Sequence, residues 1–412
     1  MISTRLAILC GAVLVDMIGF GIVLPLLPFY AESMGATPNQ VTLIIASYSA
    51  MQLAAAPIWG RISDRRGRRP LIIAGLFASS FSYLIFGLAE TLFVLLASRV
   101  AAGAAGGTVS VAQAYVADYT DEEDRAHGLG LIGAASGLGV MLGPAIGGWF
   151  SQWGLGIPGF VAAGLCLING IAAVFLLPES TYEASPEEHE QGEAASLSEW
   201  LEKMTDFPLS LLLLVYFLCI SSFTAMTSVL ALYVERVFAM DAADMGIVFT
   251  IAGGVTVVVR GGIVGRLVRK LGEPFTVRAG AVILAATLAG IPFMPTRWWL
   301  GLVIPGWALA TGILFPSLAS LVSRATDRRS QGSILGGSQI VGGTGRVLGP
   351  AGAGWLFQHV GIESPFLIGA GMVAVAAVAA VAIPRAGDGE KRKEPGPIAS
   401  KLSTLLGSTS GE

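Results

Sequence analysis

Three ionisable residues stand inside long apolar stretches of this chain: Asp16, Arg99 and Arg346. A charged side chain at bilayer depth costs roughly 2.5–3.5 kcal/mol on insertion scales, so each needs a partner or a use. Asp16 lies about ten residues into its run, on a face that continues through Phe20 and Val23. A carboxyl there can take up and release a proton away from bulk water; the other reading is a structural ion pair. Arg99 is close enough to the end of its run to snorkel outward, and it can equally face inward along Gly103, Gly106, Ser110 and Gln113. Arg346 lies mid-run beside Gln339 and Gly342, with no mid-run acid in its half of the chain. It could attract an anionic ligand, pair with Asp16, or bond to backbone carbonyls freed near Pro350. A fourth cation, Arg260, is near the end of its run and is read as snorkelling.

These residues matter because so little else is charged. The chain has 412 residues, of which 54% are hydrophobic and 13% charged. Ordinary soluble domains carry roughly 25% charge, so a cytosolic enzyme, a disordered chain and a secreted disulfide scaffold are excluded. Cys10, Cys166 and Cys219 all lie in apolar runs and form neither a disulfide framework nor a zinc spacing. The three His are far apart, so no metal is expected. No G-x-x-x-x-G-K-[ST] loop and no Ser/His, paired-Asp or His-Glu constellation at depth is present, which argues against ATP use and against an enzyme.

The elements that must position these charges are helices. Twelve apolar runs occur, at about 6–29, 41–60, 70–89, 92–117, 127–150, 157–178, 208–234, 244–265, 275–294, 298–322, 331–356 and 364–384. Each is near the roughly 20 residues a helix needs to cross hydrocarbon, and none shows strand alternation. With the N-terminus inside, twenty Lys and Arg fall on the cytoplasmic side and only Arg236 and Arg297 outside. That bias sets both termini in the cytoplasm. The expected organisation is an N-terminal six-helix bundle (1–178), an acidic linker (179–207), a C-terminal six-helix bundle (208–384) and a polar tail (385–412). Leu197, Trp200, Leu201 and Met204 recur at helical spacing in the linker, which suits either an interfacial helix or a solvated segment with stray apolar residues.

The halves repeat at an offset of about 205 residues. Gly-Leu-Gly-Val-Met-Leu-Gly-Pro at 137–144 matches Gly-Thr-Gly-Arg-Val-Leu-Gly-Pro at 343–350; Gly60-Arg61 matches Gly265-Arg266, and Gly67 matches Gly272. A six-helix unit duplicated in one orientation implies two bundles around a central axis with a binding site at mid-membrane. The stripe Gly139, Gly143, Pro144, Gly147 and its mate Gly345, Gly349, Pro350 offers smooth faces for close helix packing. The short loop Gly60-Arg-Ile-Ser-Asp64-Arg65-Arg-Gly67-Arg68-Arg69-Pro70 joins spans two and three. A topogenic basic loop would explain its arginines but not its Gly and Asp spacing.

That loop resembles the signature of the major facilitator superfamily, and the span-five stripe resembles the antiporter motif of its drug:proton antiporters. With Asp16-Met-Ile-Gly through Pro25 and Pro28, Arg99, Tyr115-Val-Ala-Asp118 and Gly143-Pro144, the chain looks like the twelve-span tetracycline/proton and multidrug antiporters. The resemblance implies an all-α integral membrane fold and assigns proton coupling to Asp16 and Arg99. It implies an ion-pair network at the inner face involving Asp64, Arg68 and Asp118. Glu273 and Arg324 are the repeat mates, with signs swapped, so two inner latches are expected, closed when the protein opens outward and broken when it opens inward. Gly60, Arg65 and Gly67 belong to the same gate. Spans one, four, seven and ten of this fold line the cavity, which nominates Phe20, Gln113, Tyr216, Phe223, Trp307, Thr311 and Phe315, with Gln52, Gln339 and Arg346. The family's acids in spans three and nine are missing here: Ser82 and the stretch 281–285 take their places. Tetracycline itself is thereby put in doubt. The expectation is a proton-coupled exporter of small amphipathic organic molecules in a bacterial inner membrane; a symporter or uniporter of a metabolite, organic anion or lipid-linked cargo is the alternative. Protons are the only cofactor expected. Expected partners are the bilayer and a small organic substrate but no nucleic acid, and a monomer is expected.

Overall fold

A computed structural model describes residues 4–120, 122–179, 207–325 and 331–383. Nearly all of the linker, including its candidate interfacial helix, and the polar tail lie outside them. Every long element described is a helix. The first bundle comprises α1 (Thr4–Val23), the short α2 (Leu27–Ser33), α3 (Pro38–Arg66), α4 (Arg68–Gly87), α5 (Leu92–Ala105), α6 (Thr108–Tyr119), α7 (Glu122–Ser151) and α8 (Ile157–Leu176). The second comprises α9 (Leu209–Phe238), α10 (Ala242–Val258), α11 (Val264–Leu271), α12 (Glu273–Gly290), α13 (Leu300–Arg324), α14 (Gln331–His359) and α15 (Ser364–Ala379). Eleven helical segments are long and apolar enough to cross a membrane. The remaining expected span is α14, a helix of 29 residues.

Local chemistry sets the ends. Thr37 and Gln40 form a capping box at the start of α3, and Asp241 and Asp244 form one at the start of α10. Gly67 (φ 88°) and Gly272 (φ 82°) end α3 and α11 in the same left-handed turn, so the repeat seen in sequence is also a repeat of backbone shape. Arg69 donates to the Val174 carbonyl at 2.6 Å, and Arg278 donates to the carbonyls of Ala380, Val381 and Ile383. The same chemistry therefore caps the last turn of each bundle's final helix, where carbonyls lack partners.

The fourth span is not one helix. It breaks at Gly106–Gly107, between α5 and α6. Carbonyls exposed there need donors, and α3 supplies them: Gln52 Nε2 donates to Gly106 O at 3.2 Å, and the Trp59 indole N–H donates to Ala104 O. The continuous polar stripe expected from Arg99 to Gln113 is thus interrupted. Span eight carries a π-helical turn at Val259–Ile263 that includes Arg260.

Glycine governs how the helices meet. On α7, a Cβ at Gly139 would strike Met17 and the Leu14 carbonyl, one at Gly143 the Gly21 backbone, and one at Gly147 the Ile22 carbonyl. On α14, Gly345 and Gly349 press in the same way against Ile220 and Ser221 of α9. The motif is a packing device, as its spacing predicted. Its edge also serves the seam between bundles, where Gly148 of α7 meets Gly246 of α10 and Gly354 of α14 meets Thr42 of α3. Further along, Gly253 packs on Met141 and Gly343 on Leu53. The Asn39 N–H donates to Gln358 Oε1 at 3.2 Å at the end of the same seam. Among the described residues, these contacts run from the arginine-poor end to about mid-helix. Toward the arginine-rich end, Gly60, Gly133, Gly137, Gly265 and Gly336 face open space, and Ile58 is 56% exposed. The bundles touch at one end and part at the other.

Gly143→Val should destabilise the purified protein by at least the 1–3 kcal/mol typical of overpacking, lowering its thermal unfolding midpoint. Gly137→Val, on the same helix but facing open space, should leave the midpoint nearly unchanged. Equal losses would contradict the packing geometry.

Candidate functional site

Asp16 sits on α1 with 5% of its surface exposed. Ser79 and Thr108 lie beside its carboxyl, and the buried Thr108 hydroxyl has no hydrogen-bond partner among the described residues. Gly19, one turn on, lets the Tyr83 ring lie flush against α1, since a Cβ there would meet Tyr83 Cε2 at 2.9 Å. Gly103 brings the α5 backbone against the Tyr48 carbonyl of α3 in the same way. Two glycines therefore bring the Tyr83 ring against α1 and the Tyr48 backbone against α5. Asp16 and Arg99 bear electrostatically on both rings, and Arg346 of the second bundle bears on Tyr48 as well. The Phe20 ring lies 5.4 Å from Tyr48, and Gln52 Nε2 donates to the Tyr48 hydroxyl at 3.3 Å.

No ion pair joins Asp16 to Arg99 among the described residues. Arg99 is buried, which excludes snorkelling, and its guanidinium lies 4.9 Å from the centre of the Phe86 ring and 5.8 Å from that of Tyr83. Its Nε donates to Ser98 Oγ at 3.3 Å, and its Nη2 has no partner. Aromatic faces hold the cation, in place of the carboxylate that the ion-pair reading offered. Arg346 is half-buried, and among the described residues it makes neither an ion pair with Asp16 nor a bond to the carbonyls near Pro350. Ser82 is buried and donates to the Ala78 carbonyl of its own helix.

The second bundle contributes rings. Phe223 stacks on Trp307 at 5.5 Å and meets Phe315 edge-on at 5.6 Å; Tyr216 meets Phe315 edge-on at 6.1 Å. Gly342, one turn before Arg346, leaves just enough room for Tyr216. Thr311 is buried beneath this cluster and donates to the Trp307 carbonyl of its own helix, so its proton is already committed. Gln113 and Gln339 are exposed. Tyr48 and Tyr83 were missing from the sequence candidates. Tyr48 lies one helical turn before Gln52, and that spacing could have found it.

At the arginine-rich end, Arg68 is held by Asp64, by Ser63 and, at 2.7 Å, by Asp118. Arg324 pairs with Glu273 at 3.3 Å. Both expected pairs exist with their signs swapped. The latch expectation is nonetheless overturned: each pair joins two helices of one bundle, and both are intact while the bundles stand apart at this end. They are clips within bundles. Gly67 provides the turn that places Arg68, while Gly60 and Arg65 are exposed and make no ion pair among the described residues.

A family profile described as Major Facilitator Superfamily matches residues 9–350 and 307–409. Multidrug resistance protein 2 of Bacillus subtilis (strain 168) is 29% identical over 378 residues, covering 90% of this chain and 93% of its own. The class C tetracycline resistance protein of Escherichia coli is 30% identical over 352 residues, covering 84% and 88%. In fold, the crystal structure of the nucleoside transporter NupG is similar with a TM-score of 0.78 at 12% identity, over 92% of this chain and 99% of its own.

Exposure separates the two clips. Arg324 is 69% exposed in its side chain and Arg68 only 14%. Arg324→Ala should cost the less of the two in thermal stability, because Glu273, although only 9% exposed in its side chain, keeps the Ser320 hydroxyl at 2.6 Å as a donor. Arg68→Ala should cost clearly more, because it leaves Asp118 unpaired in a half-buried position. Calorimetry on the two purified variants tests the order.

Proposed function

The chain belongs to the Major Facilitator Superfamily, and on that premise we propose that it is a proton-coupled exporter of small amphipathic organic molecules working by alternating access. The arginine-rich end is taken as cytoplasmic by the positive-inside rule, which puts both termini inside a bacterial inner membrane. The parted end then admits cargo from the cytoplasm, and rocking of the two bundles presents it outside. Relatives named for multidrug and tetracycline resistance favour export over symport or uniport of a metabolite.

One observation carries the reading: Asp16 is a carboxylic acid buried at membrane depth, and Tyr48 lies within electrostatic range both of it and of Arg346 from the opposite bundle. A proton arriving on Asp16 changes the charge felt at a ring that the other bundle also reaches. Protonation and bundle position are thereby linked without a direct ion pair. Arg99, fixed in its aromatic cage, supplies a constant positive field beside them. The rings of Phe223, Trp307, Phe315 and Tyr216 suit flat apolar parts of a cargo, with few directional groups to restrict its identity.

Asp16→Asn should abolish uphill transport driven by a proton gradient in proteoliposomes while sparing cargo counterflow. Retention of gradient-driven uphill transport would remove Asp16 from the coupling role. Arg346 refines the cargo class, since an unpaired cation at the cavity attracts acidic groups. Arg346→Ala should weaken acidic cargo at least tenfold more than neutral cargo of similar size, read as half-saturation in the same assay. Equal weakening would make Arg346 a structural residue.

A further inference from the structure

The seam at the arginine-poor end holds a charged cluster with no part in the cycle above. Glu32 lies near the end of α2 in the first bundle, and Glu235 and Arg236 lie in the last turn of α9 in the second. Arg236 Nη2 donates to Glu32 Oε1 at 3.3 Å, and its guanidinium lies 4.8 Å from the centre of the Phe357 ring of α14. The Glu235 carboxyl is a close neighbour of the Glu32 carboxyl. Its Oε2 is closed off from solvent and has no donor. Two carboxylates are both acceptors, so a proton between them is what would satisfy that buried oxygen. The charge count agrees: one guanidinium balances one carboxylate and leaves the second in need of a proton.

We propose that Glu32 and Glu235 form a second proton-binding site, distinct from Asp16, at which one shared proton holds the two bundles together at the arginine-poor end. Burial and the neighbouring Glu235 push the Glu32 carboxyl up to about 7, with Arg236 pulling the other way. Glu235 and Arg236 are the charged groups that bear on Glu32. Elsewhere at this end, Glu90 bears electrostatically on Tyr30 and Glu363 on Tyr233, and Asp241 and Asp244 cap α10. From α3 the seam receives neutral Asn39, and from α14 it receives neutral Gln358, while His359 stacks on Trp355.

The direction of the effect follows from linkage. An exposed Glu titrates near 4.3, so opening the seam lowers the affinity of Glu32 for its proton. The closed seam is favoured as pH falls through about 7 toward about 4.3, and that stabilisation is lost above about 7. Within this window the closed-to-open ratio changes by up to about tenfold per pH unit. With the orientation proposed above, the site faces the outside, and external protons would seal that face.

The test is a distance measurement on the full chain in lipid nanodiscs. Spin labels at Leu88→Cys and Val360→Cys, one on each bundle, report the seam after Cys10→Ala, Cys166→Ala and Cys219→Ala. As pH rises from about 4.3 to about 7 the short-distance population should fall, with its midpoint inside that window, and it should level off above about 7. Glu32→Gln and Glu235→Gln each carry their own donor and should keep the seam closed throughout. The variants are made in an Asp16→Asn background, which removes the other titrating acid of the cycle. A pH response that survives there in the Glu32→Gln/Glu235→Gln double variant, or that is already absent there with Glu32 and Glu235 intact, overturns the site. Should the glutamine variants fail to fold, Arg236→Gln serves: losing the cation should move the midpoint upward by about one unit or more, and no shift or a downward one overturns the site equally. The readout needs no cargo, so a failed export assay leaves it standing.

Discussion

In hydrocarbon a polar group has no water to fall back on, and most of the specific geometry of this protein answers that shortage. The broken fourth span survives because Gln52 and Trp59 reach its free carbonyls from the neighbouring helix. Serine and threonine hydroxyls along the spans return their protons to backbone one turn back, as Thr311 and Ser82 do. Arg99 is accommodated by two aromatic faces and a serine. Among the atoms of the described residues left short of partners, Thr108 Oγ1 lies beside Asp16, Arg99 Nη2 belongs to a cation within electrostatic range of the same two tyrosines as Asp16, and Glu235 Oε2 lies at the seam.

Satisfying the backbone inside each helix leaves packing to decide how helices meet, and here glycine sets the distances. The stripes on α7 and α14 press backbone to backbone on the first helix of their own bundles, and their edges continue into the seam. One motif therefore fixes both the interior of a bundle and the surface on which the bundles meet. The duplication is faithful in these structural parts, in the Gly67 and Gly272 turns and in the arginine caps of the last helices. It is not faithful in chemistry. The first bundle carries the buried acid and its tyrosines, and the second carries the stacked rings and Arg346. A transporter built from two equivalent halves can divide its work this way, because the site lies between them.

The ion pairs fall into two kinds with different physical roles. Arg68 with Asp118, and Arg324 with Glu273, connect helices of one bundle and so travel with it. Their energy is nearly the same whichever end is closed, and a contact with no difference between two states cannot bias them. Arg236 with Glu32 crosses the seam and must break when that end opens. Only contacts of the second kind can report or set the conformation.

How much of this was legible in the chain depends on the distance over which each feature is encoded. The helices, the repeat and the basic bias of one face are local or periodic properties. Hydropathy over about twenty residues, a shared offset and the placement of arginines were enough to determine them. The repeat even named the right partners for Arg68 and Glu273. That each pair lies inside one bundle, that Tyr48 and Tyr83 come within electrostatic range of both Asp16 and Arg99, and that Gly106–Gly107 breaks a helix beneath an unbroken apolar run were decided by tertiary structure. Each depends on how closely two backbones approach at a glycine. Glu32 and Glu235 mark the limit most clearly. In sequence each is an ordinary polar residue near the end of an apolar run, and only the seam, by excluding water and setting two acceptors face to face, makes them a candidate site for a proton.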